Sequence, residues 1–280
     1  MAKLAENRYG KSRVRLSRIT RHGDRHDFQE WSVRVLLHGD FEASFVDADN
    51  SKILPTDTMK NTVYSVARDS KAATIEEFAI ELGDYLLTNN SQVSKASVDI
   101  EEKAWQRMIV DGAPEATTFK LGGSELHTVH AVREKSGVWA IASGVDGMVI
   151  LKTTKSAFTG YIKDRLTTLK PATDRILGTS ATAMWDYATT VRDYSEARAR
   201  IVAALMKEFA ANNSMSVQQT LFDMGRAALG AAPEIARITL TMPNLHHLLA
   251  DLSPFGQDNP NHIFVPIDEP HGYIEATIER

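Results

Sequence analysis

One order of elements is predicted twice along this chain of 280 residues, and that repetition restricts the fold more than any single motif. Alternation and helical periodicity predict strand, strand, helix, helix, strand, strand over residues 9–121 and again over 138–278. Helices in such a unit cover one face of the sheet. We therefore expect an α+β fold of two tandem units, each an antiparallel four-stranded sheet with two helices on one face.

The first unit contains two helix signals. Thr56 or Asp57 is expected to cap a helix that runs to about Arg68. A second helix is predicted from Thr74, where Glu77 completes a capping box. The apolar stripe of this helix consists of Ile75, Phe78, Ala79, Leu82 and Leu86. The apolar face of the strand that precedes both helices consists of Trp31, Val33, Val35 and Leu37.

The second unit contains two helices at the corresponding places. One is predicted from about Tyr194, and the other from Ser214 or Ser216. Their apolar stripes are Ala197, Ile201, Leu205 and Phe209 in the first helix, and Val217, Leu221, Met224 and Ala228 in the second.

The boundary between the units is predicted near a short polar stretch at 135–137, which gives domains 1–136 and 137–280. Residues 151–177 have no counterpart in the first unit. They are therefore predicted to be an insertion, and functional residues are often placed on segments added to a scaffold.

Composition excludes several classes of site. The chain has no cysteine, which excludes disulfides, iron–sulfur clusters, thiolate zinc sites and cysteine nucleophiles. Any metal would need histidine or carboxylate ligands, and we expect no metal. The 32 basic and 36 acidic residues give a net charge of −4, so the chain as a whole does not attract nucleic acid. No nucleic-acid partner is expected.

The sequence also indicates a location in the cell. No stretch approaches the ~18 apolar residues of a membrane span, and the first ten residues have no apolar core of a signal peptide. The last three residues, 278–280, differ from a peroxisomal address. We expect a cytoplasmic protein that does not bind membranes.

Several polar positions in the sequence are candidates for ligand binding, although each has an ordinary structural explanation. Lys11 is early in a strand, where lysine is commonly a solvated charge. The helix starts at 56–57 and 216–218 offer backbone N–H groups that donate to either a capping side chain or an anion. Arg175, in the insertion, suits an ion pair or a bidentate clamp on a planar anion.

The histidines do not point to a metal. His127 and His130 are predicted on a strand, which would send their side chains to opposite faces. The adjacent His246 and His247 would also diverge on a strand. Hydrogen-bonded structural roles are favoured.

Five motifs in one order give the chain a specific resemblance to the urate oxidase (uricase) family over almost its whole length. They are Tyr-Gly-Lys at 9–11 with Val-Arg at 14–15, Leu-Pro-Thr-Asp-Thr-Met-Lys-Asn-Thr at 54–62, the insertion at 151–177, Asn-Ser-Met-Ser-Val-Gln at 213–218, and Met-Pro-Asn-Leu-His at 242–246.

The resemblance implies the tunnelling fold (T-fold), in which tandem units assemble into a homotetrameric barrel with active sites at subunit interfaces. It also implies oxidation of urate by O2, with water, to 5-hydroxyisourate and H2O2 in purine catabolism. The family uses no metal or organic cofactor. Because the peroxisomal address is absent, the resemblance suggests a bacterial enzyme.

A substrate site is implied at the matching positions. Arg175 and Gln218 would bind two edges of urate, and Phe158 would lie flat against its ring. Leu169 would close an apolar side of the site.

The resemblance extends to the polar rim and to proton transfer. Backbone N–H groups of Val217 and of Asp57, the latter from a neighbouring subunit, would complete the rim, which Thr56 also joins. Asn244 would hold O2 and then the attacking water. The residues that match the proton-relay triad of the family are Lys11, Thr56 and His246.

Two other functions are alternatives for this sequence. Another T-fold enzyme that acts on a pterin or purine, such as a zinc-dependent cyclohydrolase or pterin synthase, would need a His-rich or Cys-containing zinc site. A purine-binding or purely structural tetramer would be expected to have lost Lys11, Thr56 or His246, and all three are present.

Overall fold

The computed structural model describes residues 2–189 and 191–280, with the backbone alone at residue 268. The chain divides into two compact units, Met1–Val145 and Asp146–Arg280, and the division falls within a strand.

The first unit is an antiparallel sheet with helices between its second and third strands. The elements are β1 (Tyr9–His22), β2 (Arg25–Gly39), α1 (Glu42–Val46), α2 (Thr56–Asp69), α3 (Ile75–Asn89), β3 (Val93–Val110), β4 (Ala113–Glu134) and the start of β5 (Ala140–Lys152). The strands are ordered β1-β2-β3-β4, and each neighbouring pair is antiparallel. The short helix α1 was not predicted, and β4 is longer than the strand predicted over 116–121.

One hydrophobic core fills the space between this sheet and its helices. The predicted apolar face of β2 and the predicted stripe of α3 are confirmed, because every residue in both sets is at most 1% exposed. Burial of each large apolar side chain contributes about 2 kcal/mol to stability. Helix α3 therefore packs on the sheet as its periodicity predicted.

The two helix starts of the first unit differ. The capping box of Thr74 and Glu77 is confirmed at α3. The predicted cap of α2 is wrong: Thr56 is already the first helical residue, and the residue at the cap position is Pro55, which has no side-chain hydrogen bond to the helix. Proline has no side-chain acceptor for the first N–H groups, so α2 begins uncapped.

A β-bulge follows Lys11. Lys11 pairs with Val35, and the register then shifts before Val14. Arg13, inside the bulge, has a positive φ of 55°. The preceding Gly10 lies so close to β2 that a Cβ atom there would come within 1.8 Å of the Val35 carbonyl oxygen. The bulge and this close approach fix the backbone of β1 on both sides of Lys11.

The second unit also combines a sheet with two helices. The elements after β5 are β6 (Leu177–Tyr187), α4 (Tyr194–Ala211), α5 (Val217–Ala231), β7 (Ile235–Thr241), β8 (Asn244–Leu249), a 3₁₀ turn (Ser253–Phe255), β9 (Phe264–Gly272) and β10 (Glu275–Glu279). The strands are ordered β5-β6-β7-β10, and β8 pairs with β6 and β9. Strand β8 lies outside the predicted element order.

The helices of the second unit begin as the sequence predicted. Asp193 caps α4 by accepting a hydrogen bond from the backbone of Glu196. Of the two predicted alternatives for α5, Ser216 is the cap, since its side chain accepts from Gln219 N. Both predicted stripes are buried, with exposures of at most 5%.

Residues 153–176 connect β5 to β6, within the segment that was predicted to be an insertion. Most of the connection has no regular structure, but two isolated bridges fix it. Ser156 pairs in parallel with Ser214, and Phe158 pairs in antiparallel fashion with Ala172. The first bridge brings the connection to the turn from which α5 begins.

Candidate active site

The predicted site residues fall into two groups, one in each unit. The first-unit group is Lys11, Thr56 and Asp57. The second-unit group is Phe158, Leu169, Arg175, Val217, Gln218, Asn244 and His246.

The second-unit group is built around Phe158. Backbone hydrogen bonds hold the segment on both sides: Ala157 N donates to Ser214 O at 2.7 Å, and Phe158 N donates to Ala172 O at 2.8 Å. The guanidinium carbon of Arg175 lies 5.3 Å from the centre of the Phe158 ring. The structure therefore brings a flat aromatic surface and a cation together.

Arg175 is a half-buried cation whose charge no described carboxylate neutralises. The neighbouring Asp174 accepts hydrogen bonds from Thr154 Oγ1 at 2.8 Å and from Ser156 N at 3.5 Å instead. Burial lowers the pKa of the Arg175 guanidinium below its usual value. Its Nε atom is buried without a hydrogen-bond partner. Such a cation favours an anionic ligand, because a ligand would supply both the missing charge and the missing acceptor.

The start of α5 presents Gln218. Ser216 Oγ accepts from Gln219 N at 3.1 Å, and Gln219 Oε1 accepts from Met215 N at 3.0 Å. These two bonds fix the first turn, in which Val217 is buried and Gln218 is exposed. An exposed amide at this position offers a donor and an acceptor to a ligand.

Strand β8 supplies Asn244 and His246. Asn244 is 9% exposed, and its Nδ2 atom lies 3.5 Å from Nδ1 of His246. Burial, followed by the charges of Arg175 and His271, lowers the pKa of His246 below 6.5. A lowered pKa favours the neutral imidazole near pH 7, and the Arg175 charge contributes to this.

Leu169 is 56% exposed, and its carbonyl oxygen accepts a hydrogen bond from Tyr161 at 2.6 Å. The Tyr161 ring also stacks on Phe158, with 5.0 Å between ring centres and 12° between ring planes. Tyr161 is not among the predicted site residues, because an aromatic residue in an irregular loop belongs to no periodic pattern. Its place three residues after Phe158 was the available signal.

The first-unit group gathers at the start of α2. Asp57 accepts from Lys60 Nζ at 2.5 Å and from Asn61 Nδ2 at 3.2 Å. The hydrogen bond with Lys60 is the main reason why the pKa of Asp57 is below its usual range, and the charge of Lys11 adds to it. Lys11 therefore acts electrostatically on the exposed, uncapped helix start that contains Thr56.

The other histidine pair has structural partners. His127 lies 3.5 Å from a Glu102 oxygen, and His130 Nδ1 lies 2.8 Å from Asp99. The hydrogen bond with Asp99 agrees with the role predicted for His130, while the structural role of His127 stays a prediction. Over residues 2–189, 191–267 and 269–280, no group of three or more His, Asp or Glu side chains is arranged to hold a metal ion. In the same ranges, no helix is both long and apolar enough to cross a membrane.

A sequence model of one family, described as uricase, matches residues 7–132 and 141–275. The uricase of Arthrobacter globiformis is 43% identical over 278 residues, which cover 99% of this chain and 90% of that protein. Uricase-2 isozyme 2 of Glycine max is 40% identical and covers 98% of this chain and 94% of its own length.

Solved structures of uricases also match this chain. The crystal structure of the Arthrobacter globiformis uricase has a TM-score of 0.94 to this chain at 41% identity, and covers 100% of this chain and 96% of that one. A uricase from Bacillus fastidious has a TM-score of 0.84 at 21% identity, over 99% of this chain and 94% of its own, a likeness in fold alone.

Proposed function

Since the chain belongs to the uricase family and is an enzyme of that family, we propose that it oxidises urate with O2 and water to 5-hydroxyisourate and H2O2, without a metal or organic cofactor. One urate, one O2 and one water give one of each product. Two electrons leave the purine and reduce O2 to peroxide, and the water supplies the new hydroxyl oxygen at C5.

The observation that carries the proposal is the unpaired position of Arg175. Its guanidinium is half buried, close to the Phe158 ring and unpaired with any described carboxylate. Urate is a planar anion, which suits both a cation and a ring surface. Arg175 binds one edge of the urate, and the exposed Gln218 amide pairs with another edge. These two contacts hold the purine in the plane parallel to Phe158, and Leu169 bounds its apolar side.

The remaining residues handle protons and oxygen. The uncapped start of α2 presents the backbone N–H of Asp57 and the hydroxyl of Thr56 to the anion. Thr56 passes a proton between Lys11 and the substrate, and His246 completes the relay. Asn244 holds O2, and later water, against the ring. Removal of the proton makes urate electron-rich enough to transfer an electron to O2 directly.

The working form we propose is a homotetramer with the tandem T-fold layout and with active sites at subunit interfaces. Membership of the uricase family supports this assembly, in which Asp57 would come from a neighbouring subunit.

One assay tests the proposal. Urate is supplied to the purified protein, and the loss of its ultraviolet absorbance is followed together with O2 uptake and H2O2 release, with and without chelator. We expect one O2 consumed and one H2O2 released per urate, unchanged by chelator. Chelator-sensitive turnover would contradict cofactor independence, and urate binding without turnover would leave only a binding protein.

A further inference from the structure

Tyr161 makes contacts that the function proposed above does not use. Its hydroxyl donates to Leu169 O at 2.6 Å, and its ring stacks on Phe158 at 5.0 Å with 12° between planes. One side chain thus contacts two residues that the proposed site assigns to the substrate.

The surrounding segment is a small closed lobe, residues 158–172. At its base, Phe158 and Ala172 exchange backbone hydrogen bonds of 2.8 and 3.0 Å. At its tip, Asp164 Oδ1 accepts from Leu166 N at 2.8 Å and from Thr167 Oγ1 at 2.9 Å. Between base and tip, the bond from Tyr161 to Leu169 crosses from one arm to the other.

The bond across the lobe has a clear consequence for Leu169. This residue is 56% exposed, so packing alone does not fix it. The hydrogen bond from Tyr161 holds its backbone at a set distance from the arm that begins with Phe158. Without that bond, the two arms would be joined only at the base and near the tip.

The stack has a consequence for Phe158. An aromatic ring has two faces, and a nearly parallel neighbour occupies one of them. Because Tyr161 is parallel to Phe158 and not edge-on, it sets the tilt of the phenyl plane. A planar ligand stacked on the opposite face would then lie parallel to both rings.

We propose that Tyr161 is a positioning residue for the substrate: it fixes the plane of Phe158 and the place of Leu169, so that a planar purine binds between a preset ring surface and a preset apolar side. The proposal rests on the proposed function for the identity of the purine. It concerns affinity and not the chemical step, because the contacts of Tyr161 described above are with two binding residues and not with His246, the one relay residue of its unit.

The experiment compares full-length wild-type protein with Tyr161→Leu, Tyr161→Phe and the control Tyr85→Leu. Tyr85 is also a partly exposed tyrosine, on α3 of the first unit. Urate kcat and KM are measured, and the dissociation constant of xanthine, a planar purine without the 8-oxo group, is measured by calorimetry.

We expect Tyr161→Leu to raise the KM for urate and the dissociation constant of xanthine together by about three- to tenfold, with kcat within about twofold of wild type. Tyr161→Phe keeps the stack and loses only the bond to Leu169, so it should restore most of the affinity. Tyr85→Leu should leave both constants unchanged.

Wild-type affinity in Tyr161→Leu would overturn the proposal. So would tighter binding, which would mean that the tyrosine ring lies where the purine belongs, or a fall in kcat with both binding constants unchanged. Should the leucine variant not fold, equal xanthine affinity in Tyr161→Phe and Tyr161→Ala would overturn it. If wild type binds xanthine but does not oxidise urate, the proposed function fails, while the xanthine series still decides the role of Tyr161.

Discussion

The first-unit and second-unit groups differ in how firmly the chain fixes them. In the second unit, bridges and hydrogen bonds hold Phe158 and the start of α5, and Arg175 lies over the Phe158 ring. In the first unit, Thr56 and Asp57 stand exposed on an uncapped helix start. We infer that the second-unit group is preorganised to bind the purine, while the first-unit group offers unpaired donors and a relay for the chemical step.

The helix starts illustrate this difference. Ser216 uses its own side chain to satisfy the first turn of α5, which leaves the ligand a side-chain amide at Gln218. Pro55 cannot do the same for α2, which leaves the ligand backbone N–H groups. Equivalent places in two similar units thus offer a ligand different chemistry.

The largest effect is expected from substitutions of the two proposed proton-relay residues in the first unit. Lys11→Met and Thr56→Ala should each lower kcat by about 10²- to 10⁴-fold, the usual contribution of a positioned proton-transfer group. The KM for urate should change much less, and the oligomer should persist by gel filtration. Lys71→Met, at an exposed lysine ahead of α3, is the control. Wild-type turnover in either relay variant would remove that residue from proton transfer.

The next test removes the proposed contact of Arg175 with urate in the second unit. Arg175→Ala should raise the KM for urate by about 30-fold or more, because it deletes a charge-assisted bidentate contact. The melting temperature should not fall, since no described carboxylate loses a partner. Arg165→Ala, at an exposed arginine of the same connection, serves as the control. Unchanged urate affinity in Arg175→Ala would contradict the assignment of the two groups.

A pH profile sharpens the comparison further. The pKa of His246 is lowered by burial and by Arg175, so the folded protein binds fewer protons than the unfolded chain just below pH 6.5. Stability should therefore fall as pH decreases from 6.5 toward the folded pKa. In Arg175→Ala, the pKa of His246 should rise, and the acid limb of kcat at saturating urate should move to higher pH. An unmoved limb would show that the two residues are not coupled.

The smallest expected effect concerns the α5 cap. Ser216→Ala should lower the free energy of unfolding by about 1 kcal/mol, because the first turn loses its side-chain acceptor. Urea denaturation measures the change, and Asn213→Ala, at an exposed residue of the same turn, should have little effect. A loss as small in Ser216→Ala as in the control would mean that Gln219 alone fixes the turn.

Much of the fold followed from local rules. The α3 capping box, the apolar face of β2 and the helix stripes were predictable because burial imposes a period on the sequence. The cap of α2 was predicted wrongly, since a serine-like cap signal at Thr56 cannot reveal that the helix begins one residue earlier than expected.

The site was predictable only in part. Arg175 and Gln218 came from the family resemblance, and spacing alone left their roles open. Tyr161 could not be inferred, because its contacts join the two arms of an irregular lobe. The unpaired state of Arg175 is likewise a tertiary property, since its sequence neighbour Asp174 is bound elsewhere.

The connection between β5 and β6 has one further consequence, for the rate of encounter. Residues 153–176 contain five basic and two acidic residues, a net charge of +3 in a chain of net charge −4. The remainder of the chain therefore repels an anion while this segment attracts it. Urate should be guided toward the segment that carries Phe158 and Arg175, and kcat/KM should fall as added salt screens that attraction.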